Sequence, residues 1–184
     1  MSETAPELLT VAVIGAGAAG RGFALECAEA GFRVVLEDVM PAKLRDAETE
    51  LAGVGLQVEL VSTVEDAVRD ADLVVDFVPD ELESKLEIWS LIDRMAPPKT
   101  VMCTPSEGLS ITDLASCTYR GDRCLMVRGL ADGAEAVRLL TGPDCADATV
   151  ELGTRVFAGL GYGVVVKADP DLPLLLKNMG ASRL

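Results

Sequence analysis

The chain has 184 residues, 16 Lys and Arg against 30 Asp and Glu, a formal net charge of −14, and no histidine. Its length suits one compact domain over residues 1–184, and 49% hydrophobic residues with a mean hydropathy of +0.31 exclude intrinsic disorder. Without imidazole there is no Ser-His-Asp or Cys-His pair and no histidine metal ligand, and the acidic balance excludes nucleic acid and anionic membrane surfaces as partners.

The N-terminal MSETAPE is polar and acidic, and reads as neither a signal nor a transit peptide. Residues 8–14 (LLTVAVI) are a continuous apolar run, the pattern of a strand buried on both faces of a parallel sheet. A glycine cluster follows, then a helix over 18–30 with Phe23, Cys27 and Ala30 at helical spacing and Gly31 at its C-cap. Residues 33–38 (RVVLED) predict the second strand, and 41–51 a short helix with proline in its first turn. Strand three is expected over 57–61, a helix of one or two turns over 63–70, and strand four over 72–78 (DLVVDFV). Leu82, Leu86, Trp89 and Ile92 make one apolar stripe on a helix stopped by Pro97-Pro98, a core face and not a cofactor platform. Residues 100–104 (TVMCT) predict strand five, and Ser110 caps a turn of helix over 111–116.

Strands over 123–128 and 134–140, a helix from an N-cap at Asp144 to about Leu160, and a strand over 162–167 complete the pattern. The tail, DPDLPLLLKNMGASRL, carries an apolar LPLLL run with two readings: docked on its own sheet, or buried between subunits of a homo-oligomer. No apolar run approaches the roughly 20 residues that span a bilayer. The alternation predicts a doubly wound, mostly parallel α/β sheet with helices on both faces and extra C-terminal strands.

Residues 46–87 hold 13 carboxylates and two cations, Arg69 and Lys85, read as a solvated acidic face. Five cysteines without a CxxC spacing predict reduced thiols in cytoplasm and no metal site. Cys103, at the end of strand five, is read as a buried strand residue.

The first strand runs into Gly15-Ala16-Gly17-Ala18-Ala19-Gly20, a G-x-G-x-x-G loop that opens a helix. Gly15 permits the turn, Gly17 lets the backbone approach a pyrophosphate, and Gly20 lets helix and strand pack closely. The N–H groups of the first helical turn, with the positive end of the helix dipole, can then hold phosphates without a lysine. Asp38, ending the second strand 18 residues beyond Gly20, can accept from ribose hydroxyls and repels a 2′-phosphate, so NAD is expected over NADP. Glu37 is expected to face away from the ribose by strand alternation. This is a Rossmann-like arrangement.

The glycine loop and its second strand, then ADLVVDFVPDELESKLEIW, APPKTVMCTPSEGLSITDLAS and YRGDRCLMVRG, resemble the NAD-binding domain of L-3-hydroxyacyl-CoA dehydrogenases in order and spacing. The resemblance covers nearly the whole chain and is strongest from Ala71 to Arg123. It implies an NAD site formed by Gly15, Gly17, Ala18, Ala19, Gly20, Asp38, Val78, Pro79, Asp80 and Lys85. Asp80 falls on a family Glu and Lys85 on a family Lys near the nicotinamide. Two plainer readings stand beside these, Asp80 as a cap of the helix near Leu82 and Lys85 as an exposed helix residue.

The chemical half of the family pattern is replaced. Where the family has Asn-Thr-Ser-Ser-Leu after strand five, this chain has Pro105-Ser106-Glu107-Gly108-Leu109, with Glu107 on the substrate-binding Ser and Pro105 on the Asn. Arg128 stands on the family's base His; a guanidinium stays protonated and cannot abstract a hydroxyl proton. The Glu that orients that His falls on Arg138, and a later Asn near Leu175. No residue is therefore assigned as catalytic. Glu107 and Arg128 are expected either to pair as ions across the site or to act as base and carboxylate anchor. The stretch from Pro41 to Val61 is too short for the family's helical insertion, and the second, all-helical domain has no counterpart in these 184 residues. The expectation is an NAD(H)-binding module without the family reaction, a sensor or partner subunit. The alternative is a small NAD-dependent oxidoreductase for a 3-hydroxyacyl or hydroxy-acid substrate, its cleft completed by self-association.

Overall fold

A computed structural model describes residues 8–131 and 133–171. Strand β1 (Thr10–Ile14) is buried at every position and lies between β2 (Arg33–Glu37) and β4 (Leu73–Asp76), parallel to both. Helix α1 (Ala18–Glu29) joins β1 to β2 and stops at Gly31, whose φ of +87° ends the helix. Helix α2 (Pro41–Val54) leads to the short edge strand β3 (Glu59–Val61), and α3 (Val64–Val68), capped by the Thr63 side chain, leads to β4. Helix α4 (Leu82–Met95) and strand β5 (Val101–Pro105) follow, then α5 (Ile111–Ser116), where Ser110 accepts from Asp113 N–H as its cap. A 3-10 turn over Gly121–Arg123 enters β6 (Cys124–Arg128). The chain ends its described part with β7 (Ala136–Thr141), α6 (Asp147–Gly159) and β8 (Gly163–Ala168).

The eight strands form one sheet in the order β3-β2-β1-β4-β5-β6-β7-β8. It is parallel from β3 to β6; β7 runs antiparallel to β6, and β8 parallel to β7. Alternate strand positions feed two cores, as a sheet covered on both sides requires. One holds Val11, Val13, Leu36 and Leu73 against Phe23 and Cys27 of α1 and Phe157 of α6. The other holds Ala12, Ile14, Val35 and Val74 against Val68 of α3, Trp89 and Ile92 of α4, and Leu114 of α5. The doubly wound α/β arrangement with extra C-terminal strands is the one expected.

Several expected boundaries differ: β3 starts two residues later, at Glu59, and β4 ends two residues sooner, at Asp76. Helix α2 continues one turn further, to Val54, because nothing breaks it before Gly55 at φ +69°. Asp144 does not cap α6, which begins at Asp147 behind Ala146. Its entry is fixed by tertiary hydrogen bonds instead: Ala146 N–H and the Thr149 hydroxyl both donate to the Asp122 carbonyl, at 2.9 and 2.8 Å. The LPLLL run and Leu175 lie outside the described residues.

Candidate functional site

The glycine loop sits at the C-terminal edge of the sheet, where β1 meets β2 and β4. Gly15 N–H donates to the Glu37 carbonyl at 2.8 Å and Phe77 N–H to the Ile14 carbonyl at 2.7 Å, so the loop is bolted to both neighbours. At Gly15 the backbone has φ +99°, and a Cβ there would come within 3.3 Å of the Phe77 carbonyl oxygen. At Gly20 a Cβ would lie 1.9 Å from the Gly15 carbonyl oxygen, so any side chain there displaces the loop. Gly17 differs. Nothing lies within 4 Å of the Cβ it lacks, and it stands as the N-cap of α1 with no side chain capping the helix. Uncapped first-turn N–H groups above open space are what a phosphate anion needs.

Asp38 follows β2 and is 5% exposed. Its Oδ2 accepts from Ala16 N–H at 2.9 Å, its Oδ1 from Met40 N–H at 2.8 Å, and Lys43 Nζ lies 3.4 Å from Oδ2. The carboxylate thus holds the glycine loop as well as facing the cavity, and each oxygen keeps lone-pair capacity for a hydroxyl donor. A cavity of about 300 Å³ runs from Gly15 and Gly17 past Asp38 to an apolar wall that includes Val39, Met40, Val78, Pro79 and Leu91. These residues fit a dinucleotide: open backbone donors for the phosphates, an acid for the ribose and an apolar slot for the purine. Glu37 lines the same cavity, although strand alternation pointed it away. The alternation ends with β2 at Glu37, so Asp38 is already in the turn, and both carboxylates border one space.

The remaining expected cofactor residues fall elsewhere. Ala18 and Ala19 open α1 and border a small cleft with Phe23, Glu26 and Tyr162. Asp80 does not cap α4; its Oδ2 accepts from Glu107 N–H at 3.2 Å. Lys85 is neither exposed nor among the cavity-lining residues. It is 1% exposed, with Nζ 2.8 Å from Oδ1 of the fully buried Asp76, whose Oδ2 accepts from the Trp89 indole at 2.8 Å. This triad joins β4 to α4.

Glu107 and Arg128 do not pair with each other. Arg128, 8% exposed at the end of β6, donates from Nε to the Ser106 carbonyl at 3.1 Å and from Nη2 to the Leu109 carbonyl at 2.8 Å, and pairs with Asp171. Glu107 instead accepts from Gly129 N–H at 2.7 Å and lies 3.9 Å from Arg138 Nη2. The guanidinium passes beneath the loop after β5, where carbonyl acceptors are in reach, while Glu107 stays on its exposed side. Asp169 adds a second tie, accepting from the Ser110 hydroxyl at 2.7 Å and from Thr112 N–H and hydroxyl at 2.9 and 2.8 Å. Burial acts to raise its pKa, but these hydrogen bonds, with one from Asp171 N–H, outweigh it and hold the group below the usual carboxylate range. Sequence reasoning missed Asp169 and Asp171; the only signal was a DPD acid pair after the last strand. Cys103 is buried, and burial pushes its thiol far above the ordinary value, so it is no nucleophile. Among the described residues no group of three His, Cys, Asp or Glu is placed to hold a metal ion, and no helix is long and apolar enough to cross a membrane.

The profile of the family described as 3-hydroxyacyl-CoA dehydrogenase, NAD binding domain, matches residues 10–57 and 49–169. The chain belongs to this family. The two matched segments overlap over residues 49–57, at the end of α2 and in the turn before β3. The 3-hydroxybutyryl-CoA dehydrogenase of Bradyrhizobium diazoefficiens is 30% identical, over 91% of this chain and 63% of its own length. A probable 3-hydroxybutyryl-CoA dehydrogenase of Bacillus subtilis is 31% identical, over 65% of this chain and 47% of its own length. The chain therefore spans roughly half to just under two thirds of these relatives. In structure it superposes on a 3-hydroxyacyl-CoA dehydrogenase of Archaeoglobus fulgidus with a TM-score of 0.77 at 27% identity, covering 94% of this chain and 60% of that one. This 3-hydroxyacyl-CoA dehydrogenase NAD-binding domain thus shares the fold of that relative.

Proposed function

We propose that this chain binds NAD(H) through Gly15, Gly17, Gly20 and Asp38, with Val78 and Pro79 on the purine side, and does not carry out the dehydrogenation named in its relatives. Dehydrogenation of a hydroxyl group requires a nearby group to take the hydroxyl proton. The observation that carries the proposal is Arg128. By the resemblance it falls on the position of the family's base, and its guanidinium is committed to the Ser106 and Leu109 carbonyls and to Asp171. A group that is always protonated takes no proton. Glu107, on the family's Ser, is an acceptor held by Gly129 N–H. Occupancy of the cofactor site is then the output, as in a sensor or partner subunit.

The test has two parts. Calorimetric titration should give NADH binding in the micromolar range and much weaker NADPH binding, because Asp38 repels a 2′-phosphate. A panel of 3-hydroxyacyl-CoA and hydroxy-acid substrates should then give no NADH from NAD. Turnover that is lost in Arg128→Ala would instead establish the oxidoreductase reading.

A further inference from the structure

Two acids lie in one row across the sheet: Glu37 of β2 and Asp76 of β4 each pair with Ile14 of β1, and both are buried. Their surroundings are opposite. Asp76 has the Lys85 ammonium and the Trp89 indole. Glu37 is 3% exposed, its Oε1 has no hydrogen-bond partner, and it borders the cavity of the glycine loop. A buried carboxyl group in that position is strongly disfavoured as an anion.

The groups around Glu37 leave the charge uncompensated. Its neighbour Asp38 is a second carboxylate, and the cavity's one cation, Lys43 of α2, lies 3.4 Å from Asp38. From β1 comes Ile14 and from β3 Val61, paired with Glu37 in the sheet. Helix α3 contributes Val64, and α4 contributes Ile88 and Leu91, none of them ionisable. A dinucleotide entering this space adds two phosphate charges and excludes the remaining water.

We propose that Glu37 is a proton-controlled gate of the adenosine end of this site, so that the dinucleotide binds the chain with Glu37 neutral and carries a proton in with it. This rests on the dinucleotide reading above. The neutral acid places a donor beside a purine, whose ring nitrogens are acceptors; the anion places an unpaired charge beside an apolar ring and a diphosphate. Burial, with the Asp38 charge second, raises the Glu37 pKa to about 7, so the free protein passes between the two states near neutrality. The chain has no histidine to titrate there.

The test is titration of the whole chain with NADH and with ADP-ribose, which shares the adenosine half, from about pH 6 to pH 9. With one linked proton, Kd of the wild type should rise by up to about tenfold per pH unit above neutrality. Glu37→Gln, which stays neutral, should hold a flat Kd and bind at least about tenfold more tightly than wild type near pH 8.5. Wild type alone provides a second measure: near pH 8 the binding enthalpy should vary with the ionisation enthalpy of the buffer, reporting uptake of up to about one proton. Parallel pH profiles for the two proteins, or no proton uptake by the wild type, overturn the gate and leave the dinucleotide reading standing. No binding by either protein at any pH overturns both.

Discussion

Gly17 and Gly20 separate two roles that a glycine loop combines. Gly17→Ala puts a methyl group into open space at φ −68° and ψ 177°, a conformation alanine adopts freely. Alanine is a poorer N-cap than glycine but restricts the unfolded chain, so the free protein should change stability by less than about 1 kcal/mol. The same methyl occupies the space a pyrophosphate needs beside the N–H groups of α1. Losing one or two charge-assisted hydrogen bonds costs about 2–4 kcal/mol, roughly a 30- to 700-fold rise in the Kd for NADH. Gly20→Ala has the reverse profile. Its Cβ would sit 1.9 Å from a backbone oxygen, so the loop must move, at a cost of about 3 kcal/mol or more before any ligand is added. Thermal unfolding without ligand and calorimetry with NADH, run on both variants, separate the cases. Wild-type NADH affinity in Gly17→Ala would refute phosphate binding at this loop. Equal destabilisation of both variants would reduce the motif to a packing device.

Lys85→Met leaves Asp76 charged and buried, and should destabilise the fold by about 3–5 kcal/mol in urea unfolding, with the double variant Asp76→Leu/Lys85→Met recovering most of it. Glu37 links stability to pH: its folded pKa of about 7 lies above the unfolded value, so its contribution is complete below the unfolded pKa and is lost as pH rises to the folded one. Relative to Glu37→Gln, the wild type should therefore lose about 3 kcal/mol of unfolding free energy between about pH 4.5 and 7 and little more above that, as read from urea midpoints. Asp38→Ala removes acceptors from Ala16 and Met40 N–H, and should weaken NADH binding at least about tenfold while narrowing the preference over NADPH. An unchanged NADH-to-NADPH ratio would show that Asp38 does not meet the ribose.

The fold was legible because its signals are local. Continuous apolar strands such as TVAVI and the stripe of Leu82, Leu86, Trp89 and Ile92 need only near neighbours to be read, and Trp89 and Ile92 are indeed buried. The glycine loop was legible for the same reason. What the chain order hid was pairing across space. Lys85 looks like an exposed helix cation until Asp76, nine residues back on a buried strand, is found beside it. Glu37 and Asp38 look like opposite faces of one strand, but the strand ends between them. Arg128 meets Asp171 across 43 residues and Asp169 meets Thr112 across 57, separations at which sequence pattern carries no information.

The bonding of Arg128 bears on what else position 128 can hold. One guanidinium serves the Ser106 and Leu109 carbonyls and Asp171, and so ties the loop after β5, the end of β6 and the segment after β8 into one joint. A histidine placed at 128 has at most two N–H donors, in a shorter ring, for three oxygens, and a neutral ring able to act as a base has only one. That substitution would therefore strip acceptors of their donors in the very loop that carries Glu107. Position 128 is thereby committed: a single substitution there unfastens three segments of the chain at once.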